Sequence, residues 1–333
     1  MKIRIFIFLL FTFLILSFIK APQTLAQSVS LGIYPPVFEM ETTPPSDIKV
    51  PFFIQNYTNS SVNLKISLKP FTQAPSEDGQ VEFLDDTFSY PDPVFLQRVQ
   101  ILYQGNSVDL LTLSPNERKN LILEIQVPPN ETKGDYYFSI IFNSLNNFEG
   151  SDTSSKASGG IATNVLLSVG PVGKTQGYIQ EFSSPLFLNQ GPVPFTVRIK
   201  NTSDHYITPT GSISITNMYG QNIGEVHLLP VNILSNTIRR IPDSMQSPTA
   251  SPSASLNSYF KTLDKVYAVW PETFLLGLYT AKLNVSLSSK GPVFTREITF
   301  FAFPIEYMIA ILIIIGITVF VVLRVKKQLN RNL

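Results

Sequence analysis

The feature that most limits the fold is an alternation of apolar and polar side chains along several short segments. Residues 62–69 alternate without a break, and residues 48–54 and 121–127 repeat the pattern. A period of two places every second side chain on one face of a β-strand, so each segment has one buried face and one solvent-exposed face. Clusters of Asn, Ser, Thr and Pro between the segments are typical of turns. The pattern predicts an all-β fold of immunoglobulin-like β-sandwiches.

Two short motifs occur twice, in the same order and at nearly equal spacing. Residues 52–58 are similar to residues 197–203, and both segments contain an Asn at the same place. In residues 127–136 a Val-Pro pair precedes Gly-Asp-Tyr, and in residues 270–279 a Trp-Pro pair precedes Gly-Leu-Tyr. The glycine permits a turn, and the tyrosine opens a new strand whose ring fills the end of a sandwich. This repetition indicates a duplicated domain.

We therefore predict two tandem immunoglobulin-like domains, at residues 27–172 and 173–303. A third match, between the turns at 114–116 and 234–236, requires an insertion in the second copy. The inserted residues include a Ser/Pro-rich loop at 243–260, a composition that does not form a core.

Both ends of the chain carry targeting signals. Residues 1–26 have a basic start, an apolar run and small residues before a cleavage point, which predicts a secretory signal peptide. A second apolar run precedes a basic C-terminus and predicts a transmembrane helix at 304–323 with a cytoplasmic tail at 324–333. These signals predict a single-pass protein of the cell membrane whose N-terminal body is extracellular.

The composition excludes several kinds of chemistry. The chain has no Cys, and the body between the two predicted signals is mildly acidic, so we expect no disulfide and no nucleic-acid partner. His205 and His227 have no zinc-ligand spacing, and the carboxylates at Asp85 and Asp92 fit a solvated loop. Trp270, the only Trp, is predicted to pack in a core. We assign no catalytic, cofactor-binding or metal-binding residue and no cofactor, and we expect a protein that is not an enzyme.

The chain resembles the WxL-interacting protein family of Gram-positive bacteria. The resemblance rests on four segments of the first domain: residues 31–39, the strand ending in Asn56, the turn at 113–118 and the segment 127–136. The order of signal, two immunoglobulin-like domains, one helix and basic tail is also similar. The resemblance implies that domain one binds peptidoglycan and that domain two binds a WxL-bearing surface protein.

The sequence leaves three functional hypotheses. The leading one is a membrane-anchored, extracellular, non-catalytic binding or scaffold protein that engages cell-wall polymer, another surface protein or both. The alternative is a pilus-chaperone-like assembly helper that acts by strand exchange, which the strand-rich first domain favours. A membrane-tethered hydrolase using carboxylates is the third, and only scattered Asp and Glu residues suggest it.

Overall fold

In the computed structural model, the residues described are 30–85, 90–145, 159–171, 173–244, 268–289 and 291–329. The predicted signal peptide at 1–26 and most of the predicted loop at 243–260 lie outside these residues. The described chain forms two β-sandwiches with immunoglobulin-like strand order, so the predicted all-β fold is confirmed. We call them domain 1, with strands between Leu31 and Val169, and domain 2, with strands between Gly177 and Ala302.

Domain 1 consists of two facing sheets and a short 3₁₀ helix at Phe95–Arg98. Its described strands are β1 (Leu31–Tyr34), β2 (Val37–Thr42), β3 (Ser46–Asn56), β4 (Val62–Gln73), β5 (Val81–Phe83), β6 (Val99–Tyr103), β7 (Asn106–Ser107), β8 (Leu110–Leu113), β9 (Arg118–Val127), β10 (Gly134–Ser144) and β11 (Gly160–Val169). The first sheet has the order β1-β3-β9-β6-β7. The second has the order β2-β11-β10-β4-β5, with β8 also pairing with β4.

The core of domain 1 follows the alternation seen in the sequence. In β9 the side chains of Leu121, Leu123 and Ile125 are at most 1% exposed, and the residues between them face outward. The 3₁₀ helix contributes Phe95, whose ring stacks on Tyr136 with centroids 4.0 Å apart. Each large apolar side chain buried in this way contributes about 1.5–3 kcal/mol to folding.

Domain 2 repeats this plan with shorter outer strands. Its described strands are β12 (Gly177–Ser183), β13 (Phe187–Leu188), β14 (Val193–Asn201), β15 (Thr210–Asn217), β16 (Asn222–His227), β17 (Ile238–Arg240), β18 (Ala268–Trp270), β19 (Gly277–Ser286) and β20 (Val293–Ala302). One sheet has the order β12-β14-β17, with β18 also pairing with β14. The other has the order β13-β20-β19-β15-β16.

The two domains repeat an internal hydrogen-bonded corner as well as a strand order. Asn56 is fully buried and donates through Nδ2 to the carbonyl of Ser114 at 3.0 Å. Asn201 is also fully buried and donates in the same way to the carbonyl of Leu234 at 3.0 Å. Each turn that supplies the carbonyl holds an Asn in the left-handed region, Asn116 (φ 58°) and Asn236 (φ 57°). The motif matched in the sequence thus joins the same two strand ends in both sandwiches.

One α-helix, α1 (Ile305–Leu329), follows domain 2. Of the helices in the described residues, none combines the length and apolarity needed to cross a bilayer. The uncharged stretch of α1 lies between Glu306 and Arg324, and it is shorter than the roughly 20 residues that span a hydrocarbon layer. The predicted transmembrane helix at 304–323, cytoplasmic tail at 324–333 and single-pass location in the cell membrane were therefore wrong.

Candidate functional site

The last strand of domain 1 is covered by its neighbour over only part of its length. β2 pairs with β11 at residues 164–169, whereas β1, just before it in the chain, pairs with β3 in the other sheet. The outer side of residues 160–163 therefore has no partner strand within the described residues. We call this stretch the β11 edge.

Backbone geometry determines which groups of the β11 edge face solvent. The N–H of Asn164 donates to the carbonyl of Pro36 at 3.4 Å and so points toward β2. Backbone groups alternate in direction along a strand, so the N–H and C=O of Gly160 and Ala162 point the same way, where no described strand covers them. Both residues are exposed. The edge ends at the crossing segment of Pro35 and Pro36, which have no N–H to offer.

Domain 2 packs against the outward face of the second sheet of domain 1. Phe71, Leu166 and Leu234 form a buried cluster that joins the domains, with Tyr137 and Tyr206 packed around it. Phe71 and Leu166 would be exposed on a lone sandwich. Burying each of them contributes about 1.5–3 kcal/mol to the joint between the domains.

A partly buried carboxylate lies beside this apolar cluster. Asp135 accepts hydrogen bonds from the N–H of Tyr206 and from the Ser168 hydroxyl, both at 2.6 Å, and from the Tyr137 hydroxyl. Burial raises the pKa of Asp135, and these hydrogen bonds oppose the rise. The Tyr137 oxygen also accepts the N–H of Ser235 at 3.2 Å. Asp135 and Tyr137 therefore tie β10 of domain 1 to two loops of domain 2.

The β4–β5 hairpin of domain 1 extends onto the sheet of domain 2. Its turn residue Glu77 accepts the N–H of Arg240 at 2.8 Å through its carbonyl. The Glu77 carboxylate accepts two hydrogen bonds from Arg198, each 2.7 Å, and this bidentate pair lowers the pKa of Glu77. The Gln73 side chain donates to the Ile238 carbonyl. These bonds fix the hairpin beside β17.

A cleft of about 130 Å³ lies between this hairpin, β11 and domain 2. It begins at Val37 and Asn164, the pair at which β2 starts to cover β11, so it adjoins the closed end of the β11 edge. Its lining is mixed and contains no acidic residue: Val37, Phe71, Gln73, Gly79, Gln80, Val81, Asn164, Leu166, Asn232, Leu234 and Arg239.

Arg239 is the cation of this cleft. Its Nε is buried and has no hydrogen-bond partner in the described residues, and burial lowers the pKa of its guanidinium, with Asp78 partly opposing that effect. Gly79 lies against the guanidinium so closely that a Cβ there would be 2.0 Å from Nη2. Gly79 also has φ +94°, a conformation that favours glycine. The hairpin turn therefore holds Arg239 in place only because residue 79 has no side chain.

A second, wider cleft of about 420 Å³ lies on the other side of the joint. The stacked rings of Phe71 and Tyr137, with centroids 6.1 Å apart, line both it and the joint. Tyr90, Asp135 and Asp204 also line it, so it is more acidic than the cleft at Arg239.

The residues singled out in the sequence are scattered rather than gathered at a site. His205 is 7% exposed and bonds through Nδ1 to Asp204 at 2.9 Å, whereas His227 lies exposed in β16. Asp92 forms an ion pair with Arg98 at 2.7 Å. Within the described residues, no group of three or more His, Cys, Asp or Glu is placed to hold a metal ion. Trp270 packs against Tyr279 in the core of domain 2, as predicted.

The sequence analysis did not predict the residues that join the two domains, although the sequence contains one signal of a covered face. Leu166 and Phe71 break the alternation, because their strands carry apolar side chains on both faces at these positions. An apolar residue on the face of a sandwich strand that is expected to face solvent indicates that another part of the protein covers that face. Glu77 and Arg239 gave no comparable signal, since their roles depend on contacts across the domain joint.

Comparisons with known proteins give structural similarity alone. No family model matches the sequence, and no curated protein matches it. Among solved structures, the E. coli chaperone DraB has 9% identity over 81% of this chain and 98% of its own, with a TM-score of 0.36.

Two further structures are similar at the same level. The Salmonella enterica SafA pilin in complex with the SafB chaperone has 9% identity, coverage of 82% and 98%, and a TM-score of 0.35. The Pseudomonas aeruginosa CupB2 chaperone has 11% identity, coverage of 79% and 96%, and a TM-score of 0.32. Scores this low carry no functional conclusion, so the function of this chain has to be inferred from its own edges and contacts.

Proposed function

We propose that this protein is a non-enzymatic assembly helper that binds an extended segment of another protein by adding it as a strand beside β11. The observation that carries the proposal is the uncovered β11 edge, which ends at the cleft that contains Arg239. An added strand gains main-chain hydrogen bonds from Gly160 and Ala162, and those bonds do not depend on its sequence. Of the functions considered from the sequence, this is the strand-exchange alternative.

The cleft supplies selectivity that a bare edge lacks. A segment paired with the β11 edge meets Pro36 and Val37 at the start of β2, so its end is directed over Asn164 toward the cleft. The cleft offers apolar walls at Phe71 and Leu166 and a partly buried cation at Arg239, and none of its lining residues is acidic. An apolar or acidic side chain therefore fits there better than a basic one.

The partner we propose is a surface-protein subunit that exposes an unpaired strand before it is assembled. Such a subunit has an open hydrogen-bonding edge, which is prone to aggregation until another strand covers it. A helper protein with an uncovered edge of its own would pair with the edge of the subunit and protect it until the subunit is assembled. Binding to cell-wall polymer, and with it the resemblance to the WxL-interacting family, stays a prediction, because no contact at the β11 edge or the domain joint bears on it.

The test is an NMR titration of the full chain with a synthetic peptide of alternating Val and Thr. We expect chemical-shift changes and slower hydrogen exchange at the amides of Gly160 and Ala162. Ala162→Pro removes one outward N–H without touching the N–H groups that face β10, and it should abolish the effect. Ala162→Ser keeps that N–H and should retain binding.

Two results would contradict the proposal. One is peptide binding that Ala162→Pro leaves unchanged while the β10–β11 amides stay protected, which would place the contact elsewhere. The other is the absence of any change at Gly160 and Ala162 at millimolar peptide.

A further inference from the structure

Domain 2 has an open edge longer than the one in domain 1. β19 pairs with β20 along all of Val293–Ala302, but on the other side β13 reaches only Phe301 and Ala302. The outer side of residues 293–300 has no partner strand in the described chain, and we call it the β20 edge. Its pairing with β19 continues without a bulge, whereas β12, the neighbouring outer strand, is interrupted between Ile179 and Glu181. Bulges and shortness are devices that protect strand edges, and the β20 edge has neither.

The β20 edge presents four residues whose backbone groups face outward. The N–H groups of Phe301 and Phe303 donate to the carbonyls of Leu186 and Leu188, both at 2.9 Å, on the side away from β19. By the alternation of strand backbones, the outward N–H and C=O groups are those of the odd-numbered residues. These are Val293, Thr295, Glu297 and Thr299.

A pair of charges lies at the middle of this edge. Glu297 forms an exposed ion pair with Lys282 at 2.9 Å. Arg296 reaches Ile179 of the facing sheet, with Nη1 3.4 Å from its carbonyl, and none of the described carboxylates lies within ion-pair distance of it. A charge on an edge strand opposes pairing with any segment that does not carry the opposite charge.

Charge also argues against a second copy of this chain as the occupant. Two copies related by a two-fold axis would pair their β20 edges antiparallel, with one residue opposite itself. The two registers that cover the longest stretch are centred on Arg296 and on Glu297, and they place Arg opposite Arg or Glu opposite Glu. Like charges directly opposite each other destabilise a strand pair.

We propose that the β20 edge is a second strand-addition site, which binds an extended segment of a different protein with an acidic side chain opposite Arg296. That position belongs to the non-hydrogen-bonded pairs, where facing side chains are closest. Phe294 and Ile298 flank Arg296 on the inward face and are partly buried, so the segment would carry apolar residues on either side of its acid. This site is independent of the one proposed at the β11 edge.

The experiment uses the full chain carrying Ala162→Pro, so that the β11 edge does not contribute. The probes are two fluorescent nine-residue peptides of alternating Thr and Val with a central Asp or a central Lys, followed by anisotropy. We expect the Asp peptide to bind about tenfold more tightly than the Lys peptide. Arg296→Glu should reverse this preference, Thr295→Pro should abolish binding of both, and Thr295→Ser should retain it.

Three outcomes would overturn the proposal. Equal affinity for the two peptides would remove the role of Arg296, and binding that survives Thr295→Pro would place the peptide elsewhere. Sedimentation showing a dimer of the Ala162→Pro chain that Thr295→Pro dissociates would assign the edge to a second copy. Because the β11 edge is disabled throughout, failure here leaves the assembly-helper proposal for domain 1 untouched.

Discussion

Domains 1 and 2 follow one strand plan, yet they leave their last strands covered to different extents. In both, the first strand crosses from one sheet to the other at a proline-containing segment, Pro35-Pro36 or Pro185. After the crossing, β2 continues beside β11 for six pairs, whereas β13 stays beside β20 for two. The lesson is that the length of this short parallel strand, and not the sandwich itself, determines how much hydrogen-bonding edge a domain offers.

The charges at the two edges differ as well. The β11 edge has no charged residue and ends at a cleft that contains the partly buried Arg239, so its selectivity lies at one end. The β20 edge carries Arg296 and Glu297 at its middle. A segment that pairs with this edge must therefore present an opposite charge at one of its paired positions. We infer that the two edges accept segments of different sequence.

The largest expected effect comes from removing the buried hydrogen bonds of the corner that is present in each of the two domains. Asn56→Ala and Asn201→Ala each remove a buried amide that satisfies backbone carbonyls, and each should lower the free energy of unfolding of its own domain by about 3 kcal/mol. Urea denaturation followed by domain-specific amide exchange measures both. A loss confined to one variant would show that the repeated motif has a structural role in only one sandwich.

The next effect concerns the cleft of domain 1. Gly79→Ala combines a positive φ with a clash against Arg239, and we expect it to cost about 2 kcal/mol and to move the hairpin away from β17. Gly105→Ala is the matched control, because Gly105 also has a positive φ but a Cβ added there would meet no atom within 4 Å. It should cost about 1 kcal/mol. Equal losses in thermal denaturation would contradict the close packing on Arg239.

A smaller effect tests the link between the domains and its pH dependence. The Arg198 hydrogen bonds lower the pKa of Glu77 in the folded state. Its stabilising contribution is therefore present above the ordinary glutamate pKa and is lost as the pH falls through the lowered value. We expect Glu77→Gln to cost about 1–2 kcal/mol at pH 7 and progressively less in acid.

The control for this prediction is Glu297→Gln on the β20 edge. Glu297 and Lys282 are both about half exposed, so their ion pair should contribute about 0.5 kcal/mol or less. Denaturation curves at neutral and acidic pH compare the two variants. A pH-independent loss in Glu77→Gln would mean that the hairpin is held by packing rather than by the ion pair.

The alternation in β4 and β9 was enough to predict a β-sandwich for domain 1, because a period of two is a local property, and the repeated motifs extended that prediction to domain 2. The Asn56 and Asn201 motif was visible for the same reason. The edges were not predictable, since they depend on where β2 and β13 stop beside strands far away in the sequence. The pairing of Glu77 with Arg198 depends on how the domains pack, and no local pattern encodes that. The membrane helix was wrongly predicted because the seventeen uncharged residues between Glu306 and Arg324 were taken as just long enough to span a bilayer.

The central claim is that both last strands carry an uncovered edge, and native-state hydrogen exchange of the full chain tests it directly. We expect the amides of Gly160 and Ala162, and those of Thr295, Glu297 and Thr299, to exchange nearly as fast as in an unfolded chain. The amides between them, which face β10 and β19, should exchange many orders of magnitude more slowly. Strong protection of the outward amides in the isolated protein would contradict the claim, because another strand would then already cover these edges.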